Sequence, residues 1–245
     1  MPPTSRRTRI TGADAIREAI TRGAPVQLVI CRRGVVDSDI EEVVEQARAA
    51  GIEIRFASER ELLRLTEGSE AASILALSGP SPRASLDELM SRDGLVLVLV
   101  GVRYPGNVGF IVRAAEVAGA AGVVLAEDWT RADRASAMRV SMQADRFYPV
   151  VDARAEEAVE SARRAGRRLL ALETAGTSSP WQAELVGSLA VFLGGEALGV
   201  PAAILSRMDA CLRIPMRGFI PSYNVQAAAG IVLGEWLRRQ HDPGG

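Results

Sequence analysis

The sequence predicts an α/β protein whose larger part is a mainly parallel sheet with helices on both faces, preceded by a small α/β unit. Three observations carry that prediction. Apolar runs of strand length recur without polar alternation, the mark of strands covered on both faces. Helix-length segments fit between those runs, as crossover connections in a parallel sheet require. Gly79-Pro80-Ser81-Pro82 interrupts regular structure and separates two blocks of elements.

In the first block a helix from about Gly12 to Arg22 leads into a strand at Val26–Cys31 and a helix near Asp39–Ala50. A short strand at Ile52–Phe56 precedes a helix opened by Ser58, with Glu61 at the capping-box spacing, and Ser73–Leu77 is the last strand. Residues 79–93 read as a linker, so the domains fall at 1–78 and 94–245. In the second block strands fit Leu95–Val100, Gly122–Ala126, Phe147–Val151, Arg168–Leu172, Leu189–Leu193 and Ala210–Ile214. Helices fit Val108–Ala118, Ala153–Ala165 and a long final segment from Asn224 to Arg239.

A chain of 245 residues with 48% hydrophobic residues has ample material for packed cores. Aromatic residues at 4% argue against a stacking platform as the main identity of the chain. Cys31 and Cys211 each lie in apolar, strand-like surroundings and read as buried and reduced, which suits a cytoplasmic protein. The single histidine, His241, lies in the polar tail, so there is no Cys/His metal pattern and no metal site is expected. The charged N-terminus lacks a signal-peptide core, and no run reaches transmembrane length. Net charge is −1, but all 29 basic residues are arginine, the better fork for phosphate. Arg163, Arg164, Arg167 and Arg168 read as a solvated helix end. Arg6, Arg7 and Arg9, read as a flexible arm without acidic neighbours, together with Arg32 and Arg33 are the candidate contacts to the phosphates of a polyanionic partner.

Three polar-glycine clusters each follow an apolar run: Asn107-Val-Gly109-Phe-Ile-Val-Arg113, Leu193-Gly194-Gly195-Glu196, and Ile214-Pro215-Met216 with Ser222-Tyr223-Asn224. Ligands in open parallel sheets bind beyond the carboxyl ends of strands, where all three lie. Gly101, Gly106 and Gly109 do not match the dinucleotide G-x-G-x-x-G spacing, and a chain without lysine has no Walker-type phosphate loop. Each residue also has a structural reading. Asn107 and Asn224 could cap helices, Glu196 could be a first-turn acid, and Arg113 could be an ion-pair partner or a surface residue.

In order and spacing, Asn107-x-Gly109-x-x-x-Arg113, then Leu193-Gly194-Gly195-Glu196-x-x-Gly199, then Ile214-Pro215-Met216-x-Gly218-x-x-x-Ser222-x-Asn224-Val225 closely resemble the motifs of the SpoU/TrmH family of SPOUT RNA methyltransferases. The resemblance spans roughly residues 95–240. Residues 1–78 resemble the small α/β substrate-binding domain of many rRNA-directed members. The resemblance implies a C-terminal trefoil knot, one of the rare exceptions to unknotted topology. It implies S-adenosylmethionine as cofactor, a ribose 2′-hydroxyl in structured RNA as acceptor, rRNA before tRNA, and a homodimer whose active site forms across the interface. By position, Leu172, Glu173, Thr174, Gly194, Gly195, Ile214, Met216 and Tyr223 would line the cofactor pocket, with the glycines letting backbone touch the ligand. Arg113 would act on the 2′-hydroxyl as base or positioner, and Asn107, Glu196, Ser222 and Asn224 would hold ribose, arginine and loops in register.

The third motif departs from the family run Ser-Leu-Asn-Val-Ser at Tyr223 and Gln226. The ring puts more bulk near the adenine wall, and the glutamine alters capping or hydrogen bonding, but neither change removes a presumed catalytic group. The alternatives are a tRNA ribose methyltransferase, a SPOUT protein that binds RNA without catalysis, a base methyltransferase of related fold, and a nucleotide-dependent doubly wound enzyme. The last requires the phosphate loop that is absent, and Asn107 to Arg113 points to ribose rather than base.

Overall fold

A computed structural model describes residues 7–66 and 72–241. The chain divides into two units between Pro82 and Arg83. In the first, β1 (Thr8–Thr11), α1 (Ala13–Thr21), β2 (Val26–Arg32), α2 (Ser38–Ala49), β3 (Glu53–Ala57), α3 (Glu59–Leu65) and β4 (Ile74–Ser78) form a sheet of order β1-β4-β2-β3 with helices. β2 and β3 are parallel, whereas β4 runs antiparallel to both its neighbours. Ile16 of α1 and Ile40, Val43 and Val44 of α2 cover Val29 and Cys31 of β2. Ser58 and Glu61 form the reciprocal capping box that their spacing predicts.

The expectation of a flexible N-terminal arm is corrected. Thr8–Thr11 pairs with β4, because its amides find partners on that strand's open edge, so Arg9 is not on a flexible arm. Arg9 donates to the Leu65 carbonyl at 2.5 Å, and the Arg7 stem packs beside Gly79. Arg6 lies outside the described residues.

The second unit is a six-stranded parallel sheet of order β10-β8-β9-β5-β6-β7. Its elements are α4 (Leu86–Met90), β5 (Leu95–Val100), α5 (Pro105–Val117), β6 (Gly122–Ala126), α6 (Arg131–Val140), β7 (Val150–Asp152), α7 (Ala155–Arg164), β8 (Arg168–Leu172), β9 (Leu189–Gly194), α8 (Ala202–Leu205), β10 (Ala210–Leu212) and α9 (Val225–His241). The uninterrupted hydrophobicity of β5 is explained by its central place. Leu95, Leu97 and Leu99 pack with α5 and α9 on one face, while Val96, Val98 and Val100 pack with α4, α7 and α8 on the other.

The expected linker 79–93 is only partly a connector. Ser85 and Glu88 form a capping box that starts α4, and Leu89 and Met90 are buried in the second unit's core. The strand expected from Phe147 begins only at Val150, because Pro149 has no amide to donate and a 3₁₀ turn ends at Arg146. The last strand stops at Leu212. The Arg213 amide then bonds the Ser178 carbonyl at 2.7 Å instead of continuing along β8.

Arg163 and Arg164 form an exposed end to α7, as expected, but Arg167 does not belong to it. Arg167 is 2% exposed and donates to the carbonyls of Met90, Gly94, Leu189 and Arg92. Five guanidinium donors in a fixed fork suit four converging carbonyls. Burial lowers its pKa to about 10, so it is still charged at neutral pH. Arg163 and Arg164 pair with Asp209 and Asp87 at 2.7 Å each. Among the described residues no helix is long and apolar enough to cross a membrane.

Candidate active site

The carboxyl ends of β8, β9 and β5 lie side by side in the sheet, and the chain beyond β10 returns over them. Between these segments is a cavity of about 390 Å³. Leu172, Glu173 and Thr174 at the end of β8, Gly194, Gly195 and Glu196 at the end of β9, and Ile214, Met216, Ser222 and Tyr223 after β10 all line it. All eight residues expected from sequence to hold the cofactor therefore share one cavity. Leu193, Leu198, Gly199, Pro221, Val225 and Ala228 complete the wall. Gly199 stood within the second motif, whereas Pro221 and Ala228 carried no chemical signal that singles them out.

The glycines have a second reason besides the one expected. A Cβ on Gly194 would lie 2.1 Å from the Gly199 carbonyl carbon, and one on Gly195 would lie 2.0 Å from the Gly101 oxygen. A Cβ on Gly176 would meet the Leu212 carbonyl carbon at 2.3 Å. Backbone passes so close to backbone that no side chain fits, so the crossing of chain segments requires these glycines whatever the cavity holds. Gly109 acts similarly between helices, where a Cβ would meet the Ala137 oxygen of α6 at 2.5 Å.

Glu173 fastens this crossing. Its carboxylate accepts the Val200 amide at 2.5 Å, and its own amide donates to the Leu212 carbonyl at 2.9 Å. One residue at the end of β8 thus ties both the loop after β9 and the end of β10. Burial, reinforced by the Glu173 charge, pushes the neighbouring Cys211 thiol up, so it is not poised as a nucleophile. Cys31 and Cys211 are both free. Cys31 is buried as expected, but Cys211 on the edge strand is only partly so.

At the cavity lip the three clusters meet. Asn107 is not the cap of α5. Tyr104 occupies that position with Pro105 following it, and Asn107 lies inside the first turn, 7% exposed. A buried amide needs partners for both ends. Its Nδ2 donates to Glu196 Oε1, and its Oδ1 accepts from Asn224 Nδ2 at 3.3 Å. A carboxylate only accepts, so Glu196 fixes which way the Asn107 amide faces. Glu196 is not a first-turn acid either, because α8 starts only at Ala202. Asn224 does cap α9, its Oδ1 accepting the Gln226 amide at 2.9 Å, and it also reaches Asn107. The Gln226 side-chain oxygen is buried without a partner among the described residues.

Arg113 stands apart from this network. It is exposed and has no hydrogen bond or ion pair among the described residues. Six residues beyond Asn107 on α5, it is rotated roughly 120° about the helix and displaced about 9 Å along it. Ser222 and Tyr223 lie at the mouth, and Tyr223 Oη makes only a long bond, 3.5 Å, to the Pro215 carbonyl. In the first unit, Arg33 donates to the Phe56 carbonyl at 3.3 Å and Arg32 pairs with Glu59 at 3.5 Å, both near the chain's surface.

S-adenosylmethionine fits the cavity by size and chemistry. The volume falls in the about 300–1,000 Å³ range of small-molecule pockets. Apolar Leu172, Leu193, Ile214 and Val225 suit a planar base, and two carboxylates suit a ligand with positive charges.

Residues 94–234 match the SpoU rRNA Methylase family, and residues 9–77 match the RNA 2′-O ribose methyltransferase substrate binding domain. The 23S rRNA (guanosine-2′-O-)-methyltransferase RlmB of Pasteurella multocida is 29% identical, over 94% of this chain and 98% of that protein. The crystal structure of an RNA 2′-O ribose methyltransferase is 27% identical with a TM-score of 0.57, over 97% of this chain and 90% of that one. The AdoMet-bound rRNA methyltransferase of Sinorhizobium meliloti, 23% identical with a TM-score of 0.61 over 97% of this chain and 88% of that one, shares the fold.

Proposed function

The chain belongs to the SpoU rRNA Methylase family, and on that footing we propose that it is an S-adenosylmethionine-dependent methyltransferase acting on a ribose 2′-hydroxyl of rRNA. The observation that carries this reading is the Asn107–Glu196–Asn224 network, which joins all three motifs at the lip of one cavity. The family match and the ribose-methylating relatives agree with it.

The cofactor supplies a methyl group already activated on a sulfonium, so the protein's task is alignment and removal of one weakly acidic proton. Leu172 to Thr174, Gly194, Gly195, Ile214, Met216 and Tyr223 hold the cofactor. Asn107, kept in one orientation by Glu196 and Asn224, presents its amide edge to the ribose, and Ser222 borders the acceptor side. Arg113 contacts the 2′-hydroxyl and its neighbouring phosphate. Its fixed charge there stabilises the oxygen as the proton passes to solvent water and the oxygen takes up the methyl group, the sulfonium leaving as a neutral thioether.

Arg113 lies too far round α5 to serve the cavity beside its own Asn107, which supports a homodimer in which it completes the partner's site. Phe110, Arg113 and Val117 recur at i, i+3 and i+7 as an exposed stripe on α5. Exposed Ala227, Gly230 and Gly234 on the adjoining α9 would allow a second copy to approach closely. The backbone crossings at Gly176, Gly194 and Gly195 support a trefoil knot. Residues 1–78 would bind the RNA, with Arg7, Arg9, Arg32 and Arg33 near phosphate, and residues 94–245 would carry catalysis in the cytoplasm.

The test is incubation with isotopically labelled cofactor and separate rRNA and tRNA pools, followed by nucleoside mass spectrometry. A labelled 2′-O-methylnucleoside from rRNA is expected. Label on a base, or none in either pool, rejects the reading.

A further inference from the structure

Tyr104 is the last residue before α5, 65% exposed, in the loop that follows the central strand β5. It is not loosely displayed. A Cβ on Gly106 would come within 2.6 Å of Tyr104 Cε1 and 3.1 Å of its Cζ, so the ring lies against the first turn of the helix. The absence of a side chain at Gly106 is what lets it lie there. Pro105 fixes the next φ and holds Tyr104 extended, at φ −79° and ψ 115°. The Cδ1–Cε1–Cζ side of the ring therefore meets its own helix, while the residue as a whole is largely exposed.

Tyr104 stands three residues before Asn107, so ring and amide share one side of the helix start. Beside it Arg103 is exposed, with its Nε 3.2 Å from Glu127. The ring is absent from the cofactor cavity wall. The known chemistry of the site gives it no task.

We propose that Tyr104 is a base-stacking platform, on whose ring an unpaired base adjoining the methylated ribose lies when that ribose meets Asn107. This rests on the ribose-methyltransferase reading. RNA that is read in single-stranded loops has splayed bases, and aromatic faces are their common partners. A ring that already rests against the helix start has less freedom to lose on binding than an unsupported side chain. Stacking tolerates any base, so Tyr104 sets the presentation of the nucleotide rather than its identity.

The test uses the full chain with 23S rRNA transcribed in vitro and labelled S-adenosylmethionine, comparing the parent with Tyr104→Phe, Tyr104→Leu and Tyr104→Ala. Tyr104→Ala and Tyr104→Leu are expected to raise KM for RNA by on the order of ten- to a hundredfold. Cofactor Kd and melting temperature should stay at the parent values, and Tyr104→Phe should restore KM. An unchanged KM in Tyr104→Ala overturns the proposal. So does full rescue by leucine, which would leave only an apolar cover, and so does parallel loss of cofactor binding, which would make the ring structural. A parent inactive on 23S, 16S and tRNA transcripts would instead reject the methyltransferase reading itself.

Discussion

Gly195→Ala probes the chain crossing that builds the cavity. The new methyl would sit 2.0 Å from the Gly101 oxygen and 2.7 Å from its carbonyl carbon, both backbone atoms that cannot rotate aside. Carbon contacts settle near about 3.5 Å, so the two segments must part by roughly 1–1.5 Å. That displacement stretches the Gly195 amide bond to Val100, now 2.8 Å, and the Gly199 amide bond to Gly195, now 3.0 Å. Overpacking costs about 1–3 kcal/mol and a weakened backbone bond about 1 kcal/mol more, together roughly 2–4 kcal/mol. For a unit of this size that lowers Tm by roughly 5–15 °C. Because Gly195 lines the cavity, cofactor affinity should fall with it. Gly218→Ala, whose Cβ meets nothing within 4 Å, is the control and should move Tm by no more than about 1–2 °C. Thermal melts and calorimetric titration with cofactor read both. If Gly195→Ala melts and binds like the parent, the close approach of the segments is not what requires glycine.

Asn107→Asp sets a second carboxylate against Glu196. Like charges at hydrogen-bond distance cannot both ionise easily, so turnover should fall at least about tenfold at neutral pH and recover partly as pH falls, in a pH–rate profile. Arg167→Lys replaces a fork by a point charge and leaves two or more of four buried carbonyls unpaired, at about 1–3 kcal/mol each. A denaturant titration should show a loss of at least about 2 kcal/mol. Hydrogen bonds from Arg238 and Arg239 lower the Glu235 pKa to about 2. Its stabilisation is therefore present above the ordinary carboxylate pKa and is lost as pH falls through about 2, so Glu235→Gln should flatten the acid limb of the stability profile below about pH 5.

Much of this architecture is legible in the residues. The apolar runs from Leu95, Gly122, Arg168 and Leu189 are strands because only a two-sided core accepts such runs, and Ser58 with Glu61 marks a helix start by side-chain reach alone. The elements missed are those whose cause is distant in sequence. Thr8–Thr11 is a strand because β4 offers an edge, and Arg167 is buried because four carbonyls converge on it. In the site, spacing brings the lining residues together correctly. It does not reveal that Gly194 and Gly195 answer to backbone across the crossing, that Glu173 is a clasp, or that Asn107 is buried in a turn capped by Tyr104. Those facts depend on which segments meet, and no local pattern records that.

In the proposed function the Asn107–Glu196–Asn224 network orients the ribose, and Arg113, remote along α5, acts on its hydroxyl. Single-turnover methyl transfer to rRNA by Arg113→Ala, with cofactor affinity measured on the same preparation, tests that division most directly. Transfer should fall at least about a hundredfold while cofactor Kd stays within a few-fold of the parent. Undiminished transfer, or loss of transfer together with loss of cofactor binding, would contradict it.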